Sequence, residues 1–404
     1  MKETKFKNTE VGVIPEDWGV CSIEEIKSRI NNAFVDGPFG SNLKTEHFVK
    51  NGDVYVIDSS CVTSGIFEQI DYKTITYNHF ETIKRSECTG GDIIIAKIGM
   101  NCGMCAELPH LDKKSVVSGN SLKITLNQEK MLNYIFVCYM NTSKKQGKFD
   151  GLISVSAQPA LSLRILNPYQ MPLPPQKEQE RIAKALSDVD KLIATLKQLI
   201  EKKKNIKQGA MQELLSGKRR LPGFTNPWVD KTIGEICKPY KGIQINKNDL
   251  EEANIGFPVM NGGISPSGYH HEHNEPADTI IMSEGGNSCG YVSYMKSPFW
   301  AGGHCYVLRP QSQISLDYFY QVLKYYEPII MGLRTGSGLP NIKKSALSNF
   351  LLNISEDEKE QTAIAIILSD MDSEISALES RLAKYQSLKQ GMMQQLLTGK
   401  IRLI

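Results

Sequence analysis

The sequence of 404 residues predicts an α+β protein in which two globular domains alternate with two long helices. The strongest observation is an internal repeat. Residues 178–221 align without a gap on residues 360–403, with 22 identities in 44 positions. Unrelated segments of this length share roughly two or three identities, so the repeat indicates a duplication. Outside the repeat, Gly, Asn and Ser separate short β-branched runs, a pattern typical of strands joined by turns.

Each copy of the repeat is predicted to form one long helix. Apolar residues recur at alternating steps of four and three, which is the heptad seam of a coiled coil. We therefore expect the two copies to pair with each other; the alternative is a separate long core helix in each domain. The predicted interhelix seam consists of Ile182, Leu186, Val189, Ile193, Leu196 and Ile200 in the first copy, and Ile364, Leu368, Met371, Ile375, Leu378, Leu382 and Tyr385 in the second.

Signals for helix ends flank both copies. Pro174 precedes the first helix, and Ser355 with Glu358 forms a capping-box pattern before the second. Gly209 and Gly391 occupy the same place in the two copies, and glycine is the commonest residue just beyond a helix end. The pattern predicts main helices of about 30 residues that end at these glycines, each followed by a shorter helical piece.

The globular segments also echo one another, although more faintly. Residues 15–26 resemble 225–236, with Trp, Ile and Ile at matching spacings. Residues 91–103 resemble 277–290, which are one residue longer. The segment after the first helix copy has its counterpart at the start of the chain. A pseudo-twofold arrangement is therefore expected to bring the C-terminus to the N-terminal domain.

Composition excludes several classes of protein. A hydrophobic content of 41% and a charged content of 23% fit a folded chain and not a mostly disordered one. The net charge of +3 does not by itself indicate a polyanionic partner, so any surface that binds nucleic acid must be a local basic patch. The polar N-terminus, the absence of an apolar run of ~20 residues and nine cysteines without a secretory signal predict reduced thiols and a cytoplasmic location.

Three motifs resemble the specificity (S) subunit of type I restriction–modification enzymes, and the resemblance covers nearly the whole chain. They are DGPFGSNLK at 36–44, MPLPPQKEQERIAKAL at 171–186 and KQGAMQELLSGKRRLPGF at 207–224, the last two present in second copies. The resemblance implies an α+β fold of two mixed α/β target recognition domains in a pseudo-twofold arrangement, separated by two long antiparallel coiled-coil helices. The boundaries expected from the repeat are 1–173 and 222–354 for the domains, and 174–221 and 355–404 for the helices.

The resemblance also implies a function. The chain is expected to be non-catalytic and to read an asymmetric bipartite target in double-stranded DNA, one half per domain. It would dock two modification (methyltransferase) subunits and the restriction (nuclease/translocase) subunits. S-adenosylmethionine, ATP and Mg are expected on those partners, with no cofactor, no metal and no membrane contact for this chain. The alternatives are the equivalent subunit of a type IIB system, a coiled-coil protein-interaction adaptor and a self-sufficient methyltransferase.

Candidate DNA-binding residues are polar or basic side chains in Gly-rich loops, where the backbone can approach a duplex and side chains can reach base edges or phosphates. Each of them is alternatively an ordinary turn or solvated residue. The candidates are Ser41, Asn42, Lys44, Lys97, Asn101 and Gln158 in the first domain, and Tyr240, Lys241, Gln244, Asn261, Tyr269, Asn287, Arg334 and Asn341 in the second.

Several patterns that suggest catalysis or metal binding are incomplete. The sequence contains no Gly-x-x-x-x-Gly-Lys-Ser/Thr phosphate loop. The run 167–169, Asn-Pro-Tyr, lacks the second proline of the adenine-methyltransferase motif. Cys102 and Cys105 form a lone CxxC, whereas structural zinc needs four ligands, so buried free thiols are the better interpretation. The histidines of 270–273 are expected in a solvated or DNA-facing loop.

Overall fold

The structure is a computed structural model, and by its internal contacts the chain divides into two compact units. The first unit contains Met1–Thr195 and Ala383–Ile404, and the second contains Leu196–Leu382. The C-terminal segment therefore belongs with the N-terminal domain, as the pseudo-twofold pattern predicts. The described residues are 4–152, 160–251, 255–311, 314–336, 338 and 340–404.

The first domain is a mixed α/β structure built on two main sheets. The five-stranded sheet has the order β5-β7-β6-β11-β8, the four-stranded sheet has the order β10-β9-β12-β4, and β1-β2 and β13-β3 form two-stranded sheets. The β6–β11 pair is parallel, and the other strand pairs of the two main sheets are antiparallel. The strands are β1 Phe6–Thr9, β2 Gly12–Pro15, β3 Gly19–Ser22, β4 Phe34–Asp36, β5 Phe48–Val49, β6 Val54–Ile57, β7 Lys73–Ile75, β8 Glu87–Cys88, β9 Ile93–Ala96, β10 Cys105–Glu107, β11 Lys114–Val117, β12 Ser121–Ile124 and β13 Gln170–Leu173; the helices are α1 Ile23–Ile26, α2 Tyr77–Thr82, α3 Asn133–Lys145 and α4 Leu163–Leu166.

The second domain repeats this plan with fewer strands. Its four-stranded sheet has the order β15-β21-β18-β19, its three-stranded sheet has the order β17-β16-β20, and β14 pairs with β22. The β16–β20 pair is parallel, as β6–β11 is in the first domain. The strands are β14 Val229–Thr232, β15 Tyr240–Lys241, β16 Phe257–Met260, β17 Gly268–His270, β18 Thr279–Ser283, β19 Val292–Met295, β20 Trp300–Ala301, β21 Cys305–Leu308 and β22 Leu351–Ile354; the helices are α6 Ile233–Ile236, α7 Leu316–Met331 and α8 Lys344–Ser348.

Two long helices complete the fold, α5 Gln176–Leu214 and α9 Glu358–Leu396, of 39 residues each. The prediction that they end at Gly209 and Gly391 is wrong, because both glycines lie inside the helices. A glycine in a helix interior costs only about 1 kcal/mol relative to alanine. The apolar residues beyond the glycines offset this cost by packing into the hydrophobic cores of the domains, as Leu214 does in the second unit and Leu396 in the first.

The helices run antiparallel, as the order of two ion pairs in the second unit shows. In the second unit the Lys207 Nζ lies 2.6 Å from Asp372 and the Lys204 Nζ lies 2.7 Å from Glu379, so the partner's number falls as α5 advances. In the first unit the Lys389 Nζ lies 2.6 Å from Asp190. The repeat aligns Asp190 with Asp372 and Lys207 with Lys389, so each unit contains one copy of the same ion pair.

The predicted seam residues occupy two kinds of environment. The first two of each copy are fully buried in domain cores: Ile182 and Leu186 in the first unit, Ile364 and Leu368 in the second. The alternative of core helices therefore holds for the first turns of each helix. Of the remaining seam residues, Leu196, Ile200 and Ile375 are buried and Val189, Ile193, Met371, Leu378, Leu382 and Tyr385 are half-buried, and their pairing across the helices stays a prediction.

Buried polar residues at the start of each long helix fix it to the neighbouring domain. The Glu178 carboxylate accepts the indole N–H of Trp18 at 2.8 Å, and Gln179 accepts the Leu132 backbone N–H at 3.0 Å. Glu360 accepts the indole N–H of Trp228 at 3.0 Å in the same way. The Glu-Gln pair of the repeat is thus explained by hydrogen bonds that satisfy buried backbone and indole donors.

The segment that follows β9 in the first domain and the segment that follows β18 in the second have the same length. The Gly103 N–H donates to the Ala96 carbonyl, and the Gly290 N–H donates to the Ser283 carbonyl, each at 2.8 Å. This equivalence pairs 91–103 with 278–290 and corrects the expected one-residue insertion. Among the described residues, no helix has the length and apolar character that crossing a membrane requires.

Candidate nucleic-acid interface

An ion pair lies at the end of β4 in the first domain. The Asp36 Oδ2 is 3.4 Å from the Lys97 Nζ, and the Asp36 Oδ1 is 2.7 Å from the Arg85 guanidinium. The Lys97 Nζ also lies 3.6 Å from the centroid of the Phe39 ring. The Lys97 side chain is only 10% exposed, whereas that of Asp36 is 24% exposed.

A second ion pair lies at the end of β15 in the second domain. The Lys241 Nζ is 2.6 Å from the Glu284 Oε1, and the Tyr306 hydroxyl donates to the same carboxylate at 3.3 Å. The His304 Nδ1 lies 4.0 Å from the Glu284 Oε2. Here the carboxylate is the buried partner, at 11% exposure, and the lysine is 52% exposed.

Strand register shows that these two ion pairs occupy equivalent positions. Asp36 pairs with Leu122 of β12, and Lys241 pairs with Tyr306 of β21, the matching strand. The Lys97 backbone N–H donates to the carbonyl of Asn120, the residue before β12, at 2.9 Å. The Glu284 backbone N–H donates in the same way to the carbonyl of His304, the residue before β21, at 2.9 Å. The two domains therefore share one ion pair with its charges exchanged.

Buried cysteines shape the loops that begin at Lys97 and Glu284. The Cys102 Sγ donates to the Lys97 carbonyl, and the Cys289 Sγ donates to the Glu284 carbonyl, both at 2.9 Å. Burial raises the pKa of Cys102 to about 11, so its thiol keeps the donated proton at neutral pH. All nine cysteines are free and buried, whereas the sequence predicted burial only for Cys102 and Cys105. Among the described residues, no group of three or more potential ligands is placed to hold a metal.

Glycines bring the strand ends against the neighbouring backbone. A Cβ at Gly37 would lie 1.9 Å from the Ser118 carbonyl oxygen, and one at Gly242 would lie 2.2 Å from the Ala301 carbonyl oxygen. Real Cβ atoms do not approach so closely, so both positions require glycine. The loops beyond them, which contain several of the candidate residues, leave the sheets from these two equivalent points.

Comparison with known proteins gives the family. The model of the type I restriction modification DNA specificity domain matches residues 15–205 and 225–389. The chain belongs to this family. The type I restriction enzyme MjaVIII specificity subunit of Methanocaldococcus jannaschii is 23% identical over 99% of this chain and 97% of its own length.

Solved structures agree on the fold. The crystal structure of a type I restriction-modification S subunit from M. genitalium superposes with a TM-score of 0.66 at 17% identity, covering 97% of this chain and 98% of that one. A chain from a structure of type I restriction–modification complex assembly has a TM-score of 0.51 at 16% identity, covering 96% and 99%. The predicted tandem α+β architecture is confirmed.

In the second specificity domain, six candidates lie on or near the Glu284 loop and the segments that contact it. The Asn261 Oδ1 accepts the His304 backbone N–H at 3.4 Å, and Asn341 forms a β-bridge with Gly285. Asn287 is exposed on the loop itself. The other members are Lys241, described above, and Gln244, whose side-chain oxygen would lie 2.7 Å from a Cβ at Gly303. Exposed Arg334 precedes the residue that pairs with Asn341.

Two candidates in this domain lie elsewhere. The Tyr240 hydroxyl donates to Glu275 at 2.9 Å, and burial with this carboxylate raises the pKa of Tyr240 to about 12. Tyr269 is half-buried on β17, where it bridges to Glu251. The prediction of a solvated histidine loop is wrong for His270, which is buried against the Trp300 ring.

In the first specificity domain, the exposed candidates are Ser41, Asn42, Lys44 and Asn101. The Asn42 carbonyl contacts the His79 Nε2 at 3.0 Å, and Lys44 pairs with an exposed glutamate at 3.5 Å. Gln158 lies outside the described residues.

The Lys97 side chain is only 10% exposed, and its contact with DNA stays a prediction. Its ammonium is buried between Asp36 and Phe39, because a buried cation needs a counter-charge and a polarisable neighbour.

Sequence reasoning missed both acidic members of the ion pairs, Asp36 and Glu284. The signal was present: aligning the two halves of the chain without the supposed insertion places Lys97 opposite Glu284. The Asn-Pro-Tyr run has a structural role, since the Tyr169 and Asn167 carbonyls accept backbone N–H groups at the start of α1.

Proposed function

We propose that this chain is the non-catalytic specificity subunit of a type I restriction–modification complex and reads an asymmetric split sequence in double-stranded DNA, one half per domain. One observation carries the proposal. The two specificity domains share a four-stranded sheet of matching register, but equivalent positions at the strand ends hold different side chains, such as Asp36 and Lys241. Matching strand ends with unlike polar groups suit the recognition of two unlike half-sites.

The exposed loop residues supply the two kinds of contact that such recognition needs. Asn287 and Asn341 carry amides that donate and accept at base edges, and both are exposed. Lys44 and Arg334, also exposed, suit phosphate oxygens, which position a protein on the duplex without reading its sequence.

The long helices would dock the two modification (methyltransferase) subunits and the restriction (nuclease/translocase) subunits. Exposed apolar residues on their surfaces support this role: Ile206 on α5 is 47% exposed, and Ile366 and Leu388 on α9 are 55% and 49% exposed. Covering these apolar side chains with a partner removes them from water and so lowers the free energy of the complex. S-adenosylmethionine, ATP and Mg would be bound by those partners, and the assembly would work in the cytoplasm.

Binding of DNA by the complete complex tests the proposal. With the modification subunits present, the logarithm of the binding constant for a selected split site should fall linearly as the logarithm of the salt concentration rises. Lys44→Ala should reduce the salt slope by about one unit and leave the preferred sequence unchanged. If the assembled complex shows no preference for any DNA sequence at any salt concentration, the chain is an adaptor and the proposal fails.

A further inference from the structure

The charge-exchanged ion pairs have one property in common beyond their position. In each domain the residue at the loop base is buried, Lys97 at 10% and Glu284 at 11% exposure, and the residue at the strand end is more exposed. The more exposed partner is Asp36, at 24%, in the first domain and Lys241, at 52%, in the second. The same place on the framework therefore presents a carboxylate in one domain and an ammonium in the other.

Both exposed partners keep hydrogen-bonding capacity. An ionised carboxylate has about four acceptor sites, and Asp36 uses one on each oxygen, for Arg85 and Lys97. A lysine ammonium has three N–H donors, and the Lys241 ammonium makes one close contact, with the Glu284 carboxylate. The buried partner holds each group in place, which is the preorganisation that base readout needs.

The chemistry of the two groups selects different bases. A carboxylate accepts from an exocyclic amine, which cytosine and adenine present in the major groove. An ammonium donates to the O6 and N7 acceptors of guanine. Resting on the proposed function, we infer that Asp36 and Lys241 are equivalent specificity-determining residues: Asp36 reads a base with an exocyclic amine, and Lys241 reads guanine at the corresponding place in the other half-site.

Exchanging the charges tests this assignment, because equivalent strand ends hold the pair in either order; Arg85, which loses its partner Asp36 in the first exchange, is 63% exposed and can turn to solvent. The variants are Asp36→Lys with Lys97→Glu, and Lys241→Asp with Glu284→Lys. The purified complex selects its preferred sites from random DNA duplexes. We expect the first exchange to replace cytosine or adenine by guanine at one position of the first half-site, by about fivefold or more, and to leave the second half-site unchanged. The second exchange should do the converse.

Two further variants keep the result decisive. Asp36→Asn preserves the shape of the side chain but both donates and accepts, so discrimination at the same single position should relax by about fivefold or more. The control exchanges the ion pair between Glu24 of α1 and Lys27, which follows α1, as Glu24→Lys with Lys27→Glu, and should leave the selected sequence unchanged. If Asp36→Asn and the folded exchange variants select the wild-type sequence within twofold, the ion pairs only anchor the loops and the inference is overturned.

The selection also separates this inference from the proposed function. A wild-type complex that selects no split sequence overturns the proposed function, and the inference with it. A wild-type complex that selects a split sequence, unchanged in every ion-pair variant, overturns the inference alone.

Discussion

Arg402 forms a bidentate ion pair with Glu178, with N–H···O distances of 2.7 and 2.8 Å across 224 residues of sequence. Both side chains are almost completely buried. In the second unit Arg220 makes the same pair with Glu360, at 2.7 and 2.9 Å. The end of each repeat copy is thus attached to the beginning of the other copy. The repeat is therefore reciprocal in the fold as well as in the sequence.

Glu178→Gln should lower the free energy of unfolding by about 1–3 kcal/mol, because the Arg402 guanidinium loses its buried counter-charge and keeps only Asp17, which is 56% exposed. Chemical denaturation of the full chain measures the change. Glu213→Gln is the matched control: the Glu213–Arg219 pair is exposed, so its loss should cost about 1 kcal/mol or less. Equal effects of the two substitutions would show that the buried pair does not hold the C-terminal segment.

The second pair predicts a dependence of stability on pH. Burial works to raise the pKa of Glu360, but hydrogen bonds from Arg220, Ser355 and Trp228 outweigh it and hold the pKa below its ordinary value of 4.5. The folded pKa is the lower one, so the stabilisation is present above pH 4.5 and is lost as the pH falls through the folded value. Urea denaturation should show wild type losing its advantage over Glu360→Gln across this range. An advantage that stays constant from pH 7 to pH 3 would contradict the assignment.

Substitution of the two helical glycines should stabilise the chain, whereas the substitutions of Glu178 and Glu360 destabilise it. A Cβ at Gly209 or Gly391 meets no atom within 4 Å beyond its own helix backbone, and both positions are helical. Gly209→Ala and Gly391→Ala should each raise the free energy of unfolding by about 1 kcal/mol, since alanine favours the helix. Thermal denaturation measures the gain. Destabilisation by either substitution would place a helix end at that glycine.

Gly37→Ala and Gly242→Ala should instead destabilise their own domains by about 1–3 kcal/mol, because the new methyl group meets a carbonyl oxygen at less than 2.5 Å. The loops beyond these glycines should also lose their positions, so the complete complex should bind its DNA more weakly. Denaturation and DNA titration together measure both effects. Unchanged stability and affinity would mean that the strand ends do not approach the neighbouring backbone so closely.

Much of the fold was predictable because the duplicated residues make equivalent contacts in both copies of the repeat. The repeat identified both long helices, and the Trp at matching positions in the two domains marks the indoles that contact Glu178 and Glu360. The helix ends were mispredicted, since Gly209 satisfies the local rule for a helix end while tertiary packing of Leu214 overrides it.

The candidate site was less predictable, because burial of a charged residue depends on partners far away in sequence. In the sequence, Lys97 resembles a basic residue without a partner. In the structure, Asp36, 61 residues earlier, supplies its counter-charge. Asn287 and Lys44 are exposed, and the ion-pair partner of Lys44 is exposed Glu46, only two residues away. Local pattern identified the loops but not which of their side chains are available to DNA.

Base-resolution mapping of methylation tests the central claim most directly. DNA is compared between a host that expresses this chain with its partner subunits and a host that lacks only this chain. The proposal predicts an adenine-methylated motif of two unlike, separated halves that disappears with the chain. Methylation that is unchanged without the chain, while the partner subunits are demonstrably expressed, would contradict the specificity role.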